Sequence, residues 1–176
     1  MSVPYALQHQ ELVLRPGEYA VGDERCRMRT VLGSCVSITL WHPQRRVGAM
    51  SHFLLAERGS PSGRPLDARY GEDALVLMLQ GLAKFRVPAR ECQAKIFGGG
   101  SMFPEQATPG TLQVGRRNGE LARSLLAQHG IAVHSESLFG DGHRQIVFDV
   151  TTGDVWSRQI QPNTEFSSSE ARMKSE

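Results

Sequence analysis

Cys35 and His52 are the two side chains of this sequence best suited to covalent chemistry, because a thiol next to an imidazole is the minimum apparatus for nucleophilic acyl transfer. The thiolate attacks a carbonyl carbon, and the imidazole takes the thiol proton and later protonates the leaving group. Both lie in the segment RTVLGSCVSITLWHPQRRVGAMSHFLL, residues 29–55, where strand-like runs flank an HPQR turn and Pro43 holds a corner that suits its fixed φ. A turn centred between Pro43 and Gln44 sets Leu40 opposite Val47, Ile38 opposite Ala49 and Cys35 opposite His52. Directly opposed residues share a sheet face with Cβ atoms ~5 Å apart, so register alone predicts that thiol and imidazole are neighbours. A one-residue bulge in either strand would turn them apart. Gly33 and Ser34, just before the cysteine, let the backbone pass close to a substrate and leave N–H groups free for an oxyanion. Thr30 stands upstream with a hydroxyl suited to orienting the histidine. The competing reading is a small buried cysteine at a strand start and a hydrogen-bonded histidine within a sheet.

Other chemistry-bearing residues are less specific. Gly98-Gly99-Gly100-Ser101 follows a strand but lacks both the GK[ST] ending of a P-loop and the spacing of a dinucleotide fingerprint, which argues against nucleotide binding. From its residues it reads as a tight strand-to-loop turn with positive φ. Arg116-Arg117-Asn118 opens the second expected helix, where cations oppose the dipole, so a functional contact competes with a solvated helix start. His42, His129, His134 and His143 match no zinc spacing, and no metal is expected; His42, in the turn, is expected to face solvent. Cys26, Cys35 and Cys92 include no CxxC and cannot all pair within one chain, which excludes a disulfide scaffold and leaves a lone thiol available for chemistry.

The elements that must position these residues alternate between strand and helix patterns. Short runs at residues 18–22, 28–32, 36–41, 47–55, 94–97, 131–135, 145–150 and 155–160 read as strands. Residues 72–85 and 115–129 carry apolar residues at helical spacing, with Val87-Pro88 stopping the first and Gly130 placed to cap the second. This order predicts an α+β fold with a mixed, largely antiparallel sheet and two main helices. Residues 13–160 form the expected single domain, between flexible segments at residues 1–12 and 161–176, with residues 57–69 as an internal loop.

Composition sets the outer limits. The 176 residues are enough for one ordinary hydrophobic core, and 40% apolar with 22% charged residues is a globular balance. A net charge of +2 gives no reason to expect a nucleic-acid partner. Seventeen of the 20 cations are arginine, a residue whose forked donors suit protein docking. The N-terminus lacks signal-peptide features, and the longest apolar run, residues 74–79, is far below the ~20 residues that span a bilayer. Cytoplasmic localisation without membrane insertion is the expectation.

Seven segments, GEYAV, TVLGSCVSITLW, VGAMSHFLL, RYGEDAL, AKIFGGGSMF, VGRRN and GDGHRQIVFDVTTGDV, resemble in order and spacing the chemoreceptor glutamine deamidases of bacterial chemotaxis, the CheD family, over roughly residues 17–160. The resemblance implies an α/β sandwich similar to the catalytic domains of deamidating toxins, with a Cys-His-Thr triad and no cofactor. Cys35 then corresponds to the nucleophile and His52 to the general base and acid, while Cys26 and Cys92 match no catalytic position. The family's threonine stands five or six residues before the cysteine; here Thr30 holds the fifth place and Arg29 the sixth. Gly33, Ser34, Gly99, Gly100 and Ser101 are the expected oxyanion and cleft residues. The implied substrate is a glutamine on the helical cytoplasmic domain of a chemoreceptor, with receptor methyl esters as further substrates and a CheC-type phosphatase as a binding partner. Two alternatives are a signalling module that acts by binding and a cysteine amidohydrolase with another protein substrate.

Overall fold

Along β3 (Cys26–Leu32), Cys26, Met28, Thr30 and Leu32 are buried while Arg29 and Val31 between them are exposed. That period of two marks a strand with one face on a core and the other in solvent. In β4 (Val36–His42) only Trp41 escapes full burial, so that strand is covered on both faces. The difference sorts the strands into two sheets, one outer and one central. The computed structural model describes residues 9–59, 63–106 and 108–162.

The outer sheet has four strands, and with β1 (Gln10–Val13), β8 (His143–Asp149) and β9 (Val155–Ile160) its order is β1-β3-β8-β9. The central sheet has five, and with β2 (Tyr19–Gly22), β5 (Val47–Ser51), β6 (Gln93–Gly98) and β7 (Ala132–Leu138) its order is β2-β5-β4-β6-β7. Pairing is antiparallel except for β1 with β3 and β6 with β7. One apolar cluster joins Ile38, Leu40, Ala49 and Ile96 of the central sheet to α1 (Gly71–Lys84) and α2 (Pro109–Gln128). The other joins Met28, Leu32, Ile146 and Phe148 of the outer sheet to Met50 and Phe97 of the central one. The layers therefore run helices, central sheet, outer sheet, an α+β sandwich. Each fully buried side chain of this size contributes about 1.5–3 kcal/mol.

Most elements lie where their patterns predict, and three differences have local causes. β1 occupies residues 10–13, so the expected flexible segment 1–12 overlaps a strand; its side chains are mostly exposed, and its order comes from parallel pairing with β3. The expected tail, residues 161–176, lies almost wholly outside the described residues. α2 begins at Pro109 rather than residue 115, with proline at the first helical position where its missing N–H costs nothing. Arg116-Arg117-Asn118 thus sits inside the helix, and its cations do not oppose the helix start. Among the described residues no helix is long and apolar enough to cross a membrane.

The third difference concerns the hairpin. Leu40 pairs with Ala49 and His42 with Val47, so the register is two residues away from the expected one and the turn spans residues 43–46. His42 lengthens the turn: it is buried rather than solvent-facing, its Nδ1 accepts the Arg45 N–H at 3.1 Å, and its Nε2 donates to Glu91 at 2.7 Å. Arg46 closes the turn at φ 49°, in the left-handed region. Because side chains alternate with period two, a two-residue shift leaves Cys35 and His52 on one face but makes them diagonal rather than directly opposed.

Candidate active site

The chain leaves the outer sheet at Leu32 and enters the central sheet at Val36, so residues 33–35 form a crossing between layers. Cys35 ends that crossing and packs, partly buried, against the cluster between the sheets. Met102 lies over Gly33, its Sδ within contact of where a Cβ would stand. Three consecutive carbonyls of the crossing are held. Gly33 O accepts the Gly100 N–H at 2.9 Å, Cys35 O accepts the Gly99 N–H at 2.9 Å, and Ser34 O accepts from Asn118 Nδ2 at 3.1 Å. Among the described residues the N–H groups of Ser34 and Cys35 have no backbone acceptor.

His52 follows β5 and is fixed through its backbone to the segment entering β2: its N–H donates to Glu18 O at 3.0 Å, and its carbonyl accepts the Gly17 N–H at 2.8 Å. Its side chain is 2% exposed and spans the space between the sheets to Thr30, with Nδ1 2.7 Å from Oγ1. Thr30 also donates its hydroxyl proton to Leu14 O at 2.8 Å. With that proton committed, Thr30 Oγ1 can only accept from the ring, so Nδ1 carries a hydrogen and Nε2 keeps its lone pair. Arg29 points to the opposite face of β3 and pairs with Glu11, so of the two upstream positions Thr30 is the one that touches His52.

Electrostatics keep the pair neutral at rest. Burial lowers the His52 pKa from 6.5 to about 4, partly offset by the nearby Glu18 carboxylate. Burial raises the Cys35 thiol above its ordinary range, partly offset by a contact from the residue's own N–H. A thiol and a neutral imidazole therefore stand at the site rather than a preformed ion pair. Cys26 and Cys92 are buried, and burial pushes Cys92 up to about 11.

The glycine loop supports the site from behind. Gly98 takes φ 112° and Gly99 φ 65°, and a Cβ on Gly98 would collide with the Cys35 carbonyl. The Gly99 and Gly100 N–H groups face the carbonyls of the crossing, while Ser101 exchanges backbone bonds with Gly140 and Gly142. Arg144, 2% exposed, braces the loop through Gly98 O at 3.2 Å, Ser137 Oγ at 3.2 Å and the Phe139 carbonyl. One positioning group, Arg144, escaped the sequence reading. Asn118 stood within the Arg116-Arg117-Asn118 run, where a functional contact was one of two readings; it shares the apolar stripe of α2 with Ala122 and Leu125, where an amide is out of place. Among the described residues no three metal-ligating side chains are grouped.

The comparisons with known proteins point the same way. The CheD family profile, described as chemotactic sensory transduction, matches residues 54–159. "Probable chemoreceptor glutamine deamidase CheD 2" of Albidiferax ferrireducens is 61% identical over 153 residues, covering 86% of this chain and 88% of that protein. "Probable chemoreceptor glutamine deamidase CheD 1" of Chromobacterium violaceum is 42% identical over 86% of this chain and 79% of that one. "Probable chemoreceptor glutamine deamidase CheD 3" of Dechloromonas aromatica is 46% identical over 83% and 85%. The profile starts after His52, but an alignment covering 86% of this chain necessarily spans both Cys35 and His52. On the extent and identity of these matches, the chain belongs to the CheD family.

Proposed function

We propose that this protein is a cysteine-dependent deamidase that converts glutamine side chains of chemoreceptors to glutamate. Cys35 Sγ attacks the carboxamide carbon while His52 Nε2 takes the thiol proton. The oxyanion forms against the N–H groups of Ser34 and Cys35. On collapse, Nε2–H protonates the departing nitrogen, ammonia leaves, and a thioester to Cys35 remains. His52 then deprotonates a water, which attacks the thioester; glutamate is released and the thiol regains its proton. Thr30 holds the ring so that Nε2 is the basic nitrogen throughout.

The observation that carries this reading is the bond between Thr30 Oγ1 and His52 Nδ1, 2.7 Å long and oriented by the further bond to Leu14 O. That bond puts the hydrogen on Nδ1 and leaves Nε2 as the nitrogen able to take a proton. The names of the relatives supply the substrate class. A receptor methyl ester fits the same scheme, with methanol as the leaving group in place of ammonia.

Peptide mass spectrometry of a receptor signalling fragment incubated with the protein tests the proposal. Glutamine-to-glutamate conversion is expected with wild type and is lost in Cys35→Ala and His52→Ala. Conversion that survives Cys35→Ala would overturn the nucleophile assignment. If wild type binds the fragment, or a CheC-type phosphatase, yet converts no glutamine, the protein acts as a binding module instead.

A further inference from the structure

Asn118 is 1% exposed, and its Nδ2 donates to two carbonyls on different segments: Ser34 O at 3.1 Å, next to Cys35, and Leu54 O at 2.8 Å, two residues past His52. One amide from the middle of α2 thus ties together the backbone that presents the thiol and the backbone that presents the imidazole. Ser34 O belongs to the same planar peptide unit as the Cys35 N–H, and in a trans peptide the two point in opposite directions. A donor that holds the carbonyl toward the helix layer therefore turns the N–H away from that layer, toward the side where the Cys35 sulfur lies. Accepting a bond at the carbonyl also polarises the N–H of the same unit.

From this geometry we infer that Asn118 is a positioning residue for the oxyanion site: it fixes and polarises the Ser34–Cys35 peptide so that the Cys35 N–H meets the developing negative charge. The Gly100 N–H serves the preceding peptide in the same way through Gly33 O, but it is a backbone group, and only proline, which would also reshape the loop, removes it. Asn118 is the one part of this arrangement that rests on a side chain. The inference builds on the acyl-transfer chemistry proposed above but does not depend on the receptor as substrate.

Two reactions of Cys35 separate an oxyanion role from a structural one. Iodoacetamide alkylates the sulfur by displacing iodide, and no charge develops on a carbonyl oxygen. p-Nitrophenyl acetate acylates it through a tetrahedral oxyanion, forming a thioester and releasing p-nitrophenol. With Asn118→Leu and Asn118→Ala, the acylation rate is expected to fall roughly tenfold to a hundredfold while alkylation stays within about twofold of wild type. On receptor glutamine the same variants are expected to lower kcat and leave KM unchanged. Equal losses in both reactions, or no loss in acylation, overturn the inference. Wild-type protein gives a check that survives variants failing to fold. When the thiol adds across the C=O of a peptide aldehyde, its proton passing to the oxygen, the Cys35 amide signal is expected to move downfield in 1H–15N spectra. An unmoved amide overturns the assignment. Wild type that is acylated by the ester but leaves receptor glutamines intact defeats the deamidase reading alone.

Discussion

The Thr30 hydroxyl has one proton and spends it on Leu14 O, and that single commitment decides which nitrogen of His52 is basic. Thr30→Ser keeps the arrangement and is expected to retain deamidase activity. Thr30→Val keeps the shape but lets the ring turn, and kcat is expected to fall about tenfold to a hundredfold, measured as glutamate formed in a receptor fragment. Unlike a carboxylate, a hydroxyl adds no charge to steady an imidazolium, in keeping with the His52 pKa of about 4. The imidazole therefore stays uncharged well below neutrality, and with His52 as the proposed base the acid limb of kcat/KM is expected far below 6.5. The thiol has the opposite sign: burial raises its pKa, so iodoacetamide alkylation of Cys35 should climb through pH 9 without levelling near neutrality. A plateau at neutral pH would show a preformed thiolate. The residue types at this site were readable from the chain. Their hydrogen bonds were not, because Leu14 O, Glu18 O and Leu54 O are backbone atoms whose positions depend on how distant segments pack.

At the scale of elements, the hairpin shows what a local pattern can and cannot specify. Strand polarity and the Pro43 corner were enough to put Cys35 and His52 on one face. The register was not, because it depends on His42 folding inward to bond Arg45 and Glu91. His42→Ala is expected to cost about 1–2 kcal/mol in urea denaturation and to leave kcat unchanged, because the turn lies at the far end of the hairpin from Cys35. The glycine loop stands at the near end. Gly98→Ala forces a side chain into a positive φ and against the Cys35 carbonyl, and it is expected to lower both stability and kcat. β1 went unread because its order comes from its neighbour β3 rather than from its own composition.

Across the whole molecule, the buried histidine makes stability depend on pH. The folded pKa of His52 lies below its ordinary 6.5, so as pH falls the unfolded chain takes up the proton first. Its contribution is complete above pH 6.5 and is lost progressively as pH drops to about 4, amounting to about 3 kcal/mol. Urea midpoints are expected to fall across that window for wild type, with a shallower dependence for His52→Gln; an equal slope in both would remove His52 as the cause. By itself the sequence determined the α+β class, the two helices, most strand positions and the residue types able to carry acyl transfer, because these follow from short-range periodicity and side-chain chemistry. The tertiary structure alone decided that the strands divide into two sheets, that Thr30 reaches His52 across the gap between them, and that an amide on α2 holds the carbonyl next to Cys35. Each of those contacts joins segments far apart in the chain, and only the stacking of the layers sets the distances between them.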